Sequence, residues 1–142
     1  MRALLDINVL IALLDEDHVH HELARTWLMR REDAGWASCP ITQNGCIRVM
    51  SQPAYPNSLP TSAVIERLAL ATEHPSHEFW PASVSLLDER VADRTRIHGP
   101  RQVTDVYLVA LAAQHRGCFA TFDARVIVSP VRGATARNLV VI

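Results

Sequence analysis

Short apolar runs typical of buried strands alternate with segments of helical spacing along the whole chain, and this alternation restricts the possible folds. The strand-like runs are Ala3–Leu5, Trp36–Cys39, Cys118–Thr121 and Leu139–Ile142, with Glu78–Trp80 as a weaker one. Apolar residues three and four positions apart predict helices between them, at about Val9–Leu14, His20–Arg31, Ile41–Ser51, Thr61–Ala71, Leu86–Thr95 and Thr104–His115. Such alternation predicts a single α/β domain over residues 1–142, an α/β/α sandwich with a mainly parallel central sheet.

The composition is that of an ordinary globular chain without an overall basic field. The formal net charge is −1, so binding of nucleic acid would need a local patch of positive charge. The cysteines Cys39, Cys46 and Cys118 lack CxxC spacing and are expected to be small buried hydrophobes, not a disulfide or zinc framework. No apolar run approaches the length of a membrane span, and Asp6 and Asn8 interrupt the N-terminal one. We therefore expect a cytoplasmic protein with no membrane contact.

Three aspartates stand where strands are expected to end or helices to begin. Asp6 follows the first strand-like run, Asp123 comes two residues after Thr121, and Asp105 lies in the first turn of a helix that Thr104 is expected to cap. Each alone has a structural explanation, as a helix cap, as a turn residue or as a charge favourable to the helix dipole. Ligands bind outside the carboxyl ends of parallel strands, and carboxylates gathered there repel one another without a cation. Together the three acids predict a Mg²⁺ or Mn²⁺ site suited to phosphate chemistry.

The acids belong to four stretches that carry a family resemblance, at Leu4–Leu10, Thr42–Val49, Thr104–Ala112 and Ala120–Asp123. In order and spacing they resemble the PIN-domain ribonucleases, and specifically the VapC-type toxins of bacterial toxin–antitoxin pairs. The resemblance implies an endoribonuclease that hydrolyses RNA with Mg²⁺ or Mn²⁺, for which Asp6, Asp105 and Asp123 match the catalytic and metal-binding carboxylates. It also implies a cognate VapB-like antitoxin protein as partner, and a homodimer as the toxin unit.

One catalytic position departs from the family pattern. The second acid of the family is usually a glutamate, and Gln43 stands in its place. An amide can hold water or a metal weakly, but it brings no negative charge and cannot act as a base. We therefore expect weaker metal affinity or slower activity. Arg48 on the same helix is expected to form a structural ion pair, whereas Arg96 and Arg101 are the better candidates for contacts with the RNA backbone.

Two other functions remain open at this point. A catalytically weak or inactive PIN-fold module that binds RNA or protein is supported directly by Gln43 alone. A phosphatase with an aspartyl nucleophile is the third hypothesis. That chemistry generally needs a second acid two residues after the nucleophile, and Asn8 occupies that place after Asp6. The metal-dependent nuclease is therefore the leading hypothesis.

Overall fold

Every strand pairing in the central sheet is parallel, and helices cover both of its faces. The computed structural model describes residues 1–142. The strands are β1 (Ala3–Leu5), β2 (Trp36–Ser38), β3 (His77–Phe79), β4 (Cys118–Thr121) and β5 (Leu139–Val141), in the spatial order β3-β2-β1-β4-β5. The helices are α1 (Ile7–Leu14), α2 (His21–Met29), α3 (Pro40–Met50), α4 (Thr61–Thr72) and α5 (Val103–Gln114). The predicted α/β/α sandwich is confirmed.

The alternation of side chains along the strands divides the core into two layers. Ala3 and Leu5 of β1 pack with residues of α1 to α4 on one face of the sheet. Leu4 between them packs with α5 on the other face, together with Phe119 of β4. All four side chains are fully buried, as expected for strands covered on both faces. The three cysteines are free and buried, as the sequence predicts.

The strand order reverses between β1, the middle strand of the sheet, and its neighbour β4. From β1 the chain moves outward to β2 and β3, and it then returns to β4 on the opposite side. Helix α5 precedes β4 and ends near the amino edge of the sheet, where the Cys118 N–H donates to the Arg2 carbonyl. Its first turn therefore lies at the carboxyl edge. The end of β1, the end of β4 and the start of α5 meet at a topological switch point, where open α/β sheets bind ligands.

The predicted cap of helix α5 is wrong, and helix α4 has no side-chain cap either. Helix α5 begins at Val103, so that Thr104 lies inside its first turn and caps nothing. The cause is a 3₁₀ turn over Pro100–Gln102 that leads directly into the helix, with the Gln102 N–H donating to the Gly99 carbonyl. Helix α4 likewise begins at Thr61 itself, without a side-chain cap.

The predicted helix at Leu86–Thr95 is wrong, because this segment consists of turns and one 3₁₀ turn at Arg94–Arg96. Asp88 and Asp93 each accept a hydrogen bond from the backbone N–H two residues later, a local bond that competes with helix formation. The Asp93 N–H in turn donates to the Pro130 carbonyl, which ties the segment to the loop before β5.

None of the helices combines the length and the apolar character that a membrane span requires.

Replacing Leu111 on α5 tests the packing of the second layer. Leu111 is fully buried, so Leu111→Ala should lower the free energy of unfolding by about 2–5 kcal/mol. Leu87→Ala is the matched control, because Leu87 is 93% exposed and its truncation should change stability by less than about 0.5 kcal/mol. Urea unfolding of both variants measures the difference. Equal losses would contradict the placement of α5 against the sheet.

Candidate active site at the β1–β4 switch point

Asp6 connects β1 to α1 and is held by two hydrogen bonds. One carboxylate oxygen accepts from the Ile7 N–H at 2.7 Å, which caps the helix, and the other accepts from the Thr121 hydroxyl at 2.7 Å. Burial raises the pKa of Asp6 above its ordinary value and the nearby charge of Asp123 raises it further, while the two hydrogen bonds oppose the rise. The structural explanation of Asp6 is therefore confirmed, and it is compatible with the functional one, since capping fixes a buried carboxylate at the edge of the sheet.

Asp123 lies in the turn after β4 and is bound by one arginine. Its backbone N–H donates to the Thr121 hydroxyl oxygen at 3.0 Å, so a single hydroxyl contacts both Asp6 and Asp123. Both carboxylate oxygens accept from the Arg125 guanidinium, at 2.9 Å and 2.8 Å, and one of them also accepts from the Arg125 N–H. These bonds lower the pKa of Asp123 to about 2. Asp123 is therefore ionised across the physiological pH range.

Asp105 is the free carboxylate of the three. It lies half-buried in the first turn of α5 and takes part in no hydrogen bond or ion pair with the rest of the chain. Partial burial raises its pKa, the charges of Asp6 and Asp123 raise it further, and Arg125 opposes the rise. These mutual effects show that the fold brings together the three acids that the sequence singles out.

The cluster is not a preformed metal cage. As the side chains stand, no group of three or more His, Cys, Asp or Glu residues is arranged closely enough to hold a metal ion. Both oxygens of Asp123 are engaged by Arg125, and only Asp105 is free of partners. A cation bound by all three acids would therefore compete with Arg125 for the oxygens of Asp123.

Gln43 lies at the same edge of the sheet but does not bond to the aspartates. It is half-buried in α3, and its side-chain amide donates to the Ser38 hydroxyl at 2.9 Å, at the end of β2. The Ser38 hydroxyl lies 2.8 Å from His77 Nε2 on β3. Gln43 is therefore the first member of a polar chain that runs from the end of β2 to His77, the first residue of β3.

The arginine predictions have mixed outcomes. Arg48 is exposed and forms no ion pair, so the predicted structural pair is wrong. Arg96 is already paired with Asp93 at 3.6 Å, whereas Arg101 is exposed and has no acidic partner. The arginine that pairs with one of the three acids is Arg125, and the sequence analysis missed it. The Asp-x-Arg spacing at Asp123 was the signal that could have revealed it.

Comparisons with known proteins agree with this geometry. The family model of the PIN domain matches residues 3–128. Ribonuclease VapC44 of Mycobacterium tuberculosis is 55% identical over 139 residues, which cover 98% of both chains. Ribonuclease VapC39 of the same organism is 43% identical over 125 residues, 87% of this chain and 90% of that protein. Ribonuclease VapC29 is 42% identical over 124 residues, 87% and 86% of the two chains.

The chain therefore belongs to the PIN-domain family and, within it, to the VapC proteins. The resemblance drawn from the four sequence stretches is confirmed at the level of the family.

Removing the charge of Asp105 should stabilise the metal-free protein at neutral pH. The pKa of Asp105 is raised in the folded state, so ionisation costs more there than in the unfolded chain, and stability falls as pH rises above about 4. Asp105→Asn should therefore unfold at a higher urea concentration than wild type at pH 7 in EDTA, and the gain should shrink below pH 4.

The exposed Asp33, which has no side-chain partner, provides the matched control. Asp33→Asn should leave the midpoint unchanged at both pH values. A loss of stability in Asp105→Asn at pH 7 would contradict the repulsion described for this cluster.

Proposed function

We propose that this protein is a metal-dependent endoribonuclease and the toxin of a toxin–antitoxin pair in the cytoplasm. The observation that carries the proposal is the convergence of Asp6, Asp105 and Asp123 at the switch point of a VapC-family fold. The relatives' names, which describe them as ribonucleases, support RNA as the substrate.

The donor set fits a hard divalent cation. All three side chains offer carboxylate oxygens, which Mg²⁺ and Mn²⁺ prefer as ligands. Asp105 has no partner within the chain, and burial together with like charge penalises ionisation of Asp6 and Asp105. A cation bound here would neutralise charge on the scissile phosphate and lower the pKa of a water molecule, which then acts as the nucleophile.

The residues have separate roles in this proposal. Asp6 and Asp105 are the direct ligands, one fixed by its helix cap and the other free to reorient. Asp123 completes the cluster. Thr121 positions both strand-end acids through its single hydroxyl, which limits how far their backbones can move apart. Gln43 contributes an amide oxygen at most, because its NH₂ group is held by Ser38.

Cleavage of total cellular RNA by the purified, antitoxin-free protein tests the proposed activity. Discrete fragments should form with Mg²⁺ or Mn²⁺ and disappear with EDTA. Asp105→Asn should lose at least about 100-fold in rate, because it removes a direct ligand. Cleavage that needs no metal, or that survives in Asp105→Asn, would contradict the mechanism. RNA binding without any cleavage would instead favour the non-catalytic module.

Gln43→Glu should raise the metal-dependent rate in the same assay, because it restores a fourth carboxylate to the edge. The surrounding bonds can adapt, since the Ser38 hydroxyl can donate to Glu and accept from the His77 imidazole. Gln52→Glu is the matched control on an exposed residue after α3 and should leave the rate unchanged.

We also propose a site for the antitoxin, in a groove of about 390 Å³ between α1, α2 and α4. Its lining is mainly apolar, and the exposed Met29 and Leu70 extend it on the surface. Gly35 and Ser76, which precede β2 and β3, lie on its wall, so the groove is at the amino edge of the sheet, away from the acids. A groove of this kind suits the apolar face of a partner helix.

That the toxin forms a homodimer stays a prediction, which sedimentation of the purified chain would test.

Leu70→Glu should weaken inhibition by the cognate antitoxin without lowering RNA cleavage. Leu70 is 68% exposed beside the groove, so a charge there would oppose an apolar partner while the folded core is spared. Leu87→Glu, at a residue that is 93% exposed and lies outside the groove, should be inhibited like wild type. Equal inhibition of all three proteins would exclude this groove as the antitoxin site.

A further inference from the structure

Arg125 and Asp123 form a bidentate ion pair at the surface of the site. The guanidinium donates from Nε and from one terminal nitrogen to the two carboxylate oxygens, and the Arg125 side chain is 85% exposed. Arg125 makes no hydrogen bond to any residue other than Asp123. Nothing but this pair holds the arginine in place.

A second ion pair of the same geometry occurs in the chain, and comparing the two shows which features belong to the local turn and which to the site. Asp88 and Arg90 have the same spacing and make the same three bonds, at 2.9, 3.0 and 2.8 Å. The arrangement by itself is therefore a turn motif. The two copies differ in their surroundings, because the charge of Arg125 acts on Asp105 as well as on Asp123, whereas Arg90 is influenced by Asp88 alone among the acids.

The pair at Asp123 limits the metal site described above. Each oxygen of Asp123 is used by Arg125, and the acids as they stand do not form a three-residue cage. An exposed ion pair contributes little stability, so a divalent cation can displace it. The released guanidinium would lie beside the site, where the nearby Asp105 would itself be engaged by the cation. Its planar donor pair matches phosphate as well as it matches carboxylate.

We propose that Arg125 is an exchangeable counterion: it holds Asp123 while no cation is bound, and it moves to a phosphate of the RNA backbone when a cation takes Asp123. This inference rests on the proposed metal-dependent nuclease and adds the residue that couples metal binding to RNA binding. Arg125 thereby places its positive charge against the RNA only when a cation is bound at the site.

Calorimetric titration with Mn²⁺ in the absence of RNA tests the first half of the exchange. Arg125→Gln frees Asp123 and should bind Mn²⁺ about two- to fivefold more tightly than wild type, the size expected when an exposed ion pair no longer competes. Arg90→Gln is the matched control and should bind like wild type. Equal affinities for wild type and Arg125→Gln would overturn the exchange alone. Absence of Mn²⁺ binding in every protein would overturn it together with the metal site.

The salt dependence of RNA binding tests the second half. The probe is a fluorescent single-stranded RNA with phosphorothioate linkages, which resist cleavage, and anisotropy measures its affinity over a range of salt concentrations. With Mn²⁺, the slope of log K against log salt should be shallower by about 0.7 in Arg125→Gln, the loss of one phosphate contact. In EDTA the two slopes should agree. Equal slopes in Mn²⁺, or the same difference in EDTA, would overturn the transfer of Arg125 to RNA.

Discussion

A single hydroxyl group joins the two central strands of this fold at the edge where they end. Thr121 donates to the carboxylate of Asp6 after β1 and accepts from the backbone N–H of Asp123 after β4. Because the strands are parallel neighbours, their carboxyl ends are side by side, and the chain turns there in two opposite directions. The site is thus built on the most buried part of the sheet, which holds its acids more rigidly than a surface loop would.

This arrangement concentrates negative charge where the fold would otherwise avoid it. Burial raises the pKa of Asp6, and like charge adds to the effect for both Asp6 and Asp105. The fold offsets part of this cost through local bonds: a helix N-terminus at Asp6, a hydroxyl from Thr121 and the guanidinium at Asp123. Asp105 receives none of these, and it is the one carboxylate of the three without a partner in the chain.

The sequence predicts the parallel sheet and the grouping of the acids because both follow from short-range patterns. Buried parallel strands are continuously apolar, and the acids that follow them must share one edge. The start of the helix predicted at Thr104 was misplaced by one residue, because a 3₁₀ turn that begins at Pro100 leads into it without a side-chain cap. The segment Leu86–Thr95 was misassigned because Asp88 and Asp93 bond to nearby backbone, a local competition that apolar spacing does not reveal.

The partners of polar side chains were the least predictable part of the site. Which acid Arg48 would meet depends on the surface opposite α3, and that surface offers none. The pairing of Asp123 with Arg125 is local in sequence. Its effect on the site also involves Asp105, which is 20 residues away from Arg125 in sequence and is brought near it only by the fold. Sequence spacing identifies the acids, whereas tertiary structure decides which of them is already neutralised.

The formal charge of the acidic cluster gives a physical reason for a neutral residue at position 43. Asp6, Asp105, Asp123 and Arg125 together carry a formal charge of −2, the charge that one divalent cation neutralises. A glutamate at position 43 would add a further negative charge beside two carboxylates whose ionisation is already penalised. The neutral amide instead donates to the Ser38 hydroxyl, which lies against His77 of the neighbouring strand, and it adds nothing to the repulsion. A neutral side chain at position 43 therefore limits the negative charge that this edge of the sheet has to accommodate.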